Sequence, residues 1–470
     1  MSGPVIDLAI VGGGPAGQAA AEQAVAAGLS VVLFDEQPRP GGQIARQPPA
    51  GFTVPGWLAG RAYAEVKAQL ARFARLDGVT WRGGTAVAGL AADGDGFRLT
   101  VVGPDGAERV AARRVLIAAG CYDLPVPLPG WTLPGVMSAG AAQAFVKSQR
   151  IVPGGRFVLA GTHPLMLVVA AQIVESGGTV AAVMFDQPLG RCVARALAEP
   201  LTILRHAGLF VDAAAARRVL ARAGVPVRFG RPLTAVEGGE MVEAARFADG
   251  TVIACDRVAL CYGFVPQADL PRQVGAAVCW EAGAGGWATA HDGWMETDRP
   301  GLFVAGETTG VGGAAMALCE GRLAGIGIAR AAGRLDDAAA AGLARAVRRR
   351  HERLSGFARL LAAIADPAEV LARAAPGDTI LCRCEDVTHA AIDAALATAT
   401  APNAVKLVTR CGMGVCQGRM CEGALLRRIA ALDGAAPGGG GGFTARFPAR
   451  PVPIGLLCGA DRAEAGDVAD

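Results

Sequence analysis

Ile6-Asp7-Leu8-Ala9-Ile10-Val11-Gly12-Gly13-Gly14-Pro15-Ala16-Gly17 runs an apolar strand into spaced glycines. A helical stretch, 18–27, comes next, and a second apolar strand, 31–34, ends in Asp35-Glu36, 18 residues past Gly17. Strand, G-x-G-x-x-G, helix, strand and acid in this register are the dinucleotide-binding fingerprint, and they predict an α/β fold on a parallel sheet. Gly12 makes the tight turn, Gly14 lets backbone approach a pyrophosphate, and Gly17 allows close helix–strand packing. The helix start offers free N–H groups and a positive dipole end to phosphate. Pro15 sits in the first turn, where a missing N–H costs little. Asp35 can accept from both ribose hydroxyls, with Glu36 as the nearby substitute.

Length and composition fit this start. The chain has 470 residues, which bounds it at two to four domains. At 52% hydrophobic and 19% charged it can bury a large core and is not disordered. A net charge of +3 excludes neither enzyme nor binding module but gives no sign of a nucleic-acid partner. Glycine, 66 residues, is about twice the usual share of roughly 7%. The stretch 157–174 is free of charge, yet Gly161, His163 and Pro164 interrupt it where a strand would turn into a helix. It predicts a buried βα unit rather than a membrane span. Met1-Ser2-Gly3-Pro4-Val5 has no basic n-region or cleavage site, so a reducing cytoplasm is the expected compartment.

FAD and NAD share the fingerprint, and three other segments favour FAD. Pro40-Gly41-Gly42-Gln43 closely follows the acid, and Arg113-Arg114-Val115-Leu116-Ile117-Ala118-Ala119-Gly120 is a strand ending in a small-residue turn. Leu302-Phe303-Val304-Ala305-Gly306-Glu307 delivers a carboxylate to a sheet end, and Gly310-Val311-Gly312-Gly313-Ala314 starts a helix beside it. Such a helix start could face the flavin pyrimidine edge. On these segments the chain resembles the glutathione- and thioredoxin-reductase-like flavoproteins with two dinucleotide-binding domains. The resemblance implies FAD contacts at Gly12, Gly14, Pro15, Ala16, Gly17, Asp35, Glu36, Gly42, Gln43, Val87, Gly120, Gly306, Glu307 and Gly313. That superfamily more often has Asp where Glu307 stands. No Cys-x-x-Cys or Cys-x4-Cys pair precedes residue 382, so the reductases' redox disulfide is absent.

A second strand–turn–helix begins at Arg156-Phe157-Val158-Leu159-Ala160-Gly161-Thr162-His163-Pro164-Leu165-Met166, and its next strand, 180–185, ends at Asp186. The superfamily binds NAD(P)H in this inserted domain. Here His163 holds the second glycine position and Met166 the third, which predicts a retained fold without a nicotinamide site. The expected organisation is a discontinuous FAD domain, 1–125 and 266–330, around an inserted domain, 126–265. A helical connector, 331–378, a cysteine domain, 379–432, and a Gly/Pro-rich tail, 433–470, follow. The connector's basic run, 347–353, is expected to be a solvated face. Cys255, Cys261 and Cys319 lie in apolar surroundings and are read as packing residues. Tyr122, Asp123 and His291 lie near flavin segments with no role assigned.

Of the twelve cysteines, five crowd together: Cys382, Cys384, Cys411, Cys416 and Cys421. Cys-x-Cys, 26 residues, Cys-x4-Cys offers four thiolates from two loops, with glycines between them that expose N–H groups to sulfur. Arg383, Arg410 and Arg419 would offset the charge of an iron–sulfur cluster. Zinc is the structural alternative, but Cys-x-Cys is tight for a zinc hook, and His389 is the nearby imidazole. Thr388 is the expected N-cap of a helix reaching about residue 397. The segment 380–425 resembles the bacterioferritin-associated-ferredoxin-type 2Fe–2S domain. That likeness maps the ligands to Cys382, Cys384, Cys411 and Cys416, with Cys421 the rival for the fourth place.

Taken in order, these domains resemble the FAD-dependent α subunit shared by opine oxidase, hydrogen cyanide synthase and the dye-linked proline and hydroxyproline dehydrogenases. Asp35-Glu36-Gln37-Pro38, Pro129-Gly130-Trp131-Thr132-Leu133-Pro134-Gly135-Val136 and Cys411-Gly412-Met413-Gly414-Val415-Cys416-Gln417-Gly418-Arg419 carry the likeness. It implies an amino-acid-oxidase-like β subunit that oxidises the amine or imino acid. A further partner would be a small ferredoxin-like subunit, with a dye or quinone as acceptor. Through such a complex the chain could also sit at the periphery of the inner membrane. Two alternatives stand beside it: a stand-alone NAD(P)H-dependent reductase, and a scaffold that uses its cluster structurally. The tail's glycine run, 438–442, predicts a flexible linker, and 443–453 an extended arm that docks on a partner or on the chain's own surface.

Overall fold

A computed structural model describes residues 5–54, 56–58, 60–434 and 436–457. The chain start at Met1 and the cysteine at position 458 lie outside these residues. The first domain is built on a seven-stranded sheet ordered Val79–Gly83, Val31–Asp35, Ile6–Val11, Gly106–Ile117, Gly96–Gly103, Ala86–Asp93, with Leu302–Val304 also on Gly106–Ile117. The long strand Gly106–Ile117 serves two partners. Its first half pairs antiparallel with Gly96–Gly103, and its second half runs parallel to Ile6–Val11 and Leu302–Val304. Ile10 thus sits beside Leu33 on one side and Leu116 on the other.

Two helices, Pro15–Ala26 and Ala314–Ala331, cross against each other on this sheet. Their contact is made of small residues: a Cβ on Gly325 would lie 2.6 Å from the Gln23 Cβ. Leu8, Ile10, Leu33, Leu116 and Phe303 are fully buried beneath them, each side chain contributing roughly 1.5–3 kcal/mol by leaving water.

Cys121–Asp123 and Phe264–Pro266 pair antiparallel and carry the chain out to the second domain and back, next to the boundary expected at 125 and 266. That domain has a five-stranded parallel sheet ordered Val227–Phe229, Thr179–Phe185, Arg156–Gly161, Arg257–Cys261, Val136–Ser138. A three-stranded antiparallel meander, 233–254, lies beside it. The apolar stretch 157–174 is the central strand plus the helix Leu165–Glu175. No described helix is long and apolar enough to cross a membrane. Cys255, Cys261 and Cys319 are buried, and burial raises all three thiol pKa values, as packing cysteines require.

The connector is a 28-residue helix, Asp337–Ile364, capped by Asp336, whose carboxylate accepts from the Ala339 N–H at 2.7 Å. Its basic run is a solvated face, as expected, only in part. Arg350 pairs with Glu65, Arg348 lies 4.1 Å over the Trp294 ring, and His351 reaches Glu320 at 3.1 Å. The helix packs on Ala314–Ala331, and Arg348, Arg350 and His351 are half-buried on the side of the first domain, whereas Arg349, Glu352 and Arg353 are exposed to water.

The cysteine domain is a short hairpin, Ile380–Cys382 with Val387–Thr388, and three helices, His389–Leu396, Pro402–Thr409 and Glu422–Asp433. Thr388 caps the first, its hydroxyl accepting from the Ala391 N–H at 3.2 Å. The described part of the tail, up to residue 457, lies on the chain's own surface. Gly438 packs against Trp280 and Trp287, Phe443 is buried with the cysteines, and Ala449 is buried against the first domain.

Candidate dinucleotide cavity and cysteine centre

A cavity of about 660 Å³ opens at the carboxyl edge of the first sheet, within the range of cofactor sites. Thirteen predicted positions line it: Gly12, Gly14, Pro15, Ala16, Asp35, Glu36, Gly42, Gln43, Val87, Gly120, Gly306, Glu307 and Gly313. Gly17 lies behind the wall, where a Cβ would overlap the Gly12 carbonyl. Its role is packing. At Gly12 φ is +107° and a Cβ would strike the Ala118 carbonyl, so only glycine completes this turn.

The helix Pro15–Ala26 points its N-terminus into the cavity with no side-chain cap on its N–H groups, which leaves them free for an anion. Gly14 and Gly42 face each other there, and a Cβ on Gly42 would lie 2.8 Å from the Gly14 Cα. Side chains at these positions would fill the cradle. Asp35 accepts from the N–H groups of Gly13 at 2.6 Å and Gln37 at 2.7 Å. Burial raises its pKa against those two bonds. Each carboxylate oxygen keeps a lone pair that a ribose hydroxyl can use.

Glu307 is enclosed in the cavity wall. The Cys121 thiol donates to it at 2.8 Å, the Gly313 N–H bonds it too, and burial raises its pKa. Behind it stands Glu320, which accepts from the Gly306 N–H at 2.8 Å and the Thr309 hydroxyl at 2.9 Å, and whose other oxygen meets His351. The hydrogen bond to Glu320 raises the His351 pKa. Glu320 therefore fixes the turn that presents Glu307. Its signal in the sequence is the one acid in a mostly apolar helix whose other charges are Arg322 and Arg330.

The far end of the cavity is lined by Gly140, Ala141, Gln143, Ala144, Lys147, His163 and Tyr63. Lys147, on the π turn Phe145–Gln149, donates to the carbonyls of Gln43 at 2.8 Å and Ile44 at 2.9 Å. Burial lowers its pKa to about 8. Asp123 accepts from Ser138 at 2.9 Å and from the Gly140 N–H at 3.1 Å, so it holds this helix start. Tyr122 lines the cavity, whereas His291 is exposed beside Asp292 and lies away from it.

The second fingerprint is built differently. The His163 Nδ1 accepts from the Leu165 N–H at 3.2 Å, occupying the helix start where phosphate would bind. Its ring packs edge-on to Phe264, and burial lowers its pKa to about 4. Met166 is fully buried between helix and sheet. Gln187 donates to the carbonyls of Thr162 at 2.6 Å and Ile364 at 3.1 Å, tying the end of the connector helix over the strand ends. Asp186 is buried with Arg373 at 3.6 Å, and burial raises its pKa to about 7.

In the cysteine domain, Cys382, Cys411 and Cys421 are buried with their sulfurs within 4.8 Å of one another. Cys384 and Cys416 contact each other through hydrogen bonds. Hydrogen bonds from Cys411 and then Cys421 hold the Cys382 pKa well below the ordinary thiol value. The structure thus groups Cys421 with two of the four mapped positions and sets the other two together as a pair. His389 is not among the grouped donors. Arg410 pairs with Glu385 and Arg419 with Asp269, both at 2.8 Å, and Arg383 is exposed. The charges expected to offset a cluster are thus engaged by carboxylates for two of the three arginines. Trp131 joins this domain to the second one by donating to the Ile380 carbonyl at 2.7 Å.

Residues 6–333 match the family described as pyridine nucleotide-disulphide oxidoreductase, and 377–462 match the sarcosine oxidase A3 domain. The A subunit of opine oxidase from Rhizobium meliloti is 34% identical over 96% of this chain and 97% of its own. The HcnB subunit of hydrogen cyanide synthase from Pseudomonas aeruginosa is 34% identical over 95% of this chain and 97% of its own. Among solved structures, L-proline dehydrogenase from P. horikoshii shares the fold, with TM-score 0.69 at 19% identity, covering 97% of this chain and 79% of its own. The chain is an FAD-dependent oxidoreductase that belongs to the pyridine nucleotide-disulphide oxidoreductase family, in the group of the opine oxidase A subunit and the HcnB subunit of hydrogen cyanide synthase.

Proposed function

We propose that the chain is the electron-transfer subunit of a heteromeric amine or imino-acid dehydrogenase. A partner flavoprotein subunit feeds it, and it delivers to a dye or quinone-type acceptor. The observation that carries this is one chain holding an open dinucleotide cavity, a filled second fingerprint and three buried, grouped cysteines with a half-buried pair, Cys384 and Cys416, in the same domain. The relatives named as subunits of opine oxidase and hydrogen cyanide synthase support the heteromeric reading.

The residues divide the work. Gly12, Gly14 and Gly42 leave room for a diphosphate at the helix start, Asp35 takes the ribose, and Glu307 takes ribitol hydroxyls. Lys147, held by two carbonyls, supplies a cation at the far end of the cavity. The small residues 140, 141 and 144 stand there without a redox disulfide, which fits a flavin that exchanges electrons with another centre. Cys382, Cys384, Cys411 and Cys416, with Cys421 competing for one place, would hold a 2Fe–2S cluster. Bound at these two places, FAD supplies two-electron chemistry and an iron–sulfur cluster carries one electron at a time.

The test is to purify the chain anaerobically, alone and with a candidate partner subunit, and to record spectra with amines, imino acids and NADH. Flavin and cluster bands that bleach with an amine only in the complex support the proposal. Bleaching by NADH in the lone chain would overturn it in favour of a stand-alone reductase. Cys421→Ser and Cys416→Ser compared for iron content assign the fourth ligand.

A further inference from the structure

The C-terminal arm touches both centres. The edge strand Ala86–Asp93 has a bulge between Val87 and Gly89, which frees the Ala88 carbonyl from the sheet. The Ala449 N–H donates to that carbonyl at 2.5 Å, and the Phe447 ring packs over Gly89. Val87, on the other side of the bulge, lines the dinucleotide cavity, and so do Ala449 and Arg450. Arg450 donates to Gln267 at 2.8 Å and pairs with Glu36, the second acid of the fingerprint.

Seven residues before Arg450, Phe443 is packed on the cysteine loops, where a Cβ on Gly412 or Gly418 would run into its ring. Its N–H donates to Glu422 at 2.7 Å, and its carbonyl accepts from Arg272. Arg419, between Cys416 and Cys421, donates both to Asp269 at 2.8 Å and to the Ala449 carbonyl. One short segment is therefore wall to the cavity and lid to the cysteines, and an arginine of the cysteine loop holds it in place.

We propose that residues 443–450 couple the two centres: dinucleotide binding fastens the arm, and the fastened arm shields the cysteine loops. This rests on the reading of the cavity as the FAD site. A segment that favours binding at one site by its docked state must be favoured by that binding in return. The arm meets the sheet edge through one main-chain bond, from Ala449 to Ala88, and otherwise through side chains, so it can be released without unfolding the sheet.

Three measurements test it on the full chain. FAD added to the apoprotein should slow tryptic cleavage after Arg446 at least tenfold. Arg450→Met, and a chain ending at residue 442, should each weaken FAD binding at least tenfold, read by quenching of flavin fluorescence. An iron chelator should bleach the cluster several-fold faster in FAD-free protein than in FAD-loaded protein. Cleavage at the same rate with and without FAD overturns the coupling, as does Arg450→Met binding FAD within twofold of the unaltered chain. If the unaltered chain does not bind FAD at all, the reading of the cavity falls first and takes the coupling with it.

Discussion

The two strand–turn–helix units share a backbone plan and differ where a ligand would touch. In the first, the helix start faces a cavity, with glycines at both approach positions. In the second, a histidine ring caps the helix start, and Gln187 with the end of the connector helix lies over the strand ends. The first glycine survives in both. Gly12 and Gly161 each have a position where a Cβ would overlap a carbonyl of the neighbouring strand, that of Ala118 or of Cys261. The first glycine, demanded by packing, persists in the second unit, whereas the phosphate-approach position carries His163 and the helix-packing position of Gly17 carries Met166. The acids part in the same way, Asp35 in the cavity wall and Asp186 buried with Arg373.

This contrast can be broken most forcefully by matched substitutions. Gly12→Ala and Gly161→Ala should each destabilise the fold by about 2–3 kcal/mol, from overlap and a positive φ. Only Gly12→Ala should lose bound FAD. Equal FAD loss in both, measured as flavin per chain, would mean the second unit also holds the cofactor.

Asp186 sharpens the contrast through pH. Its folded pKa, raised to about 7, lies above the roughly 3.9 of an unfolded aspartate. Its contribution to stability is therefore complete below about pH 4 and is lost as pH rises through 7. Asp186→Asn should gain on the unaltered chain across that window, by a few kcal/mol at pH 8. A stability difference that does not vary with pH would show that Asp186 is free to ionise, as a ribose-binding acid would be.

A smaller effect is expected at Trp131, which ties the second domain to the cysteine domain. Trp131→Phe should cost about 1 kcal/mol for the lost hydrogen bond, measured by urea unfolding. Normal stability would mean the second domain is no platform for the cysteines. The smallest expected effect is with NADH: no flavin bleaching within seconds in stopped flow, either in the unaltered chain or in His163→Gly. Bleaching only in His163→Gly would show that the histidine alone blocks the site and that Gln187 and the connector do not.

Much of the cavity was legible in the sequence because its glycines and acid act within one local unit, with spacing set by strand and helix geometry. Lys147, Glu320 with His351, and Arg450 were not. Each acts through a contact far along the chain: Lys147 lies 103 residues from Ile44, and Arg450 lies 414 from Glu36. Periodicity says nothing about such pairs. The basic run 347–353 was read only in part for a related reason: Arg349 and Arg353 are solvated as expected, but the sequence does not show that Glu65 lies opposite Arg350. The cysteine spacing foretold a cluster of thiols, but the grouping of Cys382, Cys411 and Cys421 depends on how two loops fold toward each other.

The contact between Arg450 and Glu36 also sets an order of events during synthesis. Glu36 leaves the ribosome 414 residues ahead of its partner, roughly 20–80 s earlier at about 5–20 residues per second. Through most of that interval the first domain lacks its strand Leu302–Val304 and the cavity lining at Gly306, Glu307 and Gly313, and once these have emerged the pocket still lacks the wall that the arm supplies. Flavin captured by the growing chain would be held loosely until the arm, residues 443–450, has emerged and docked.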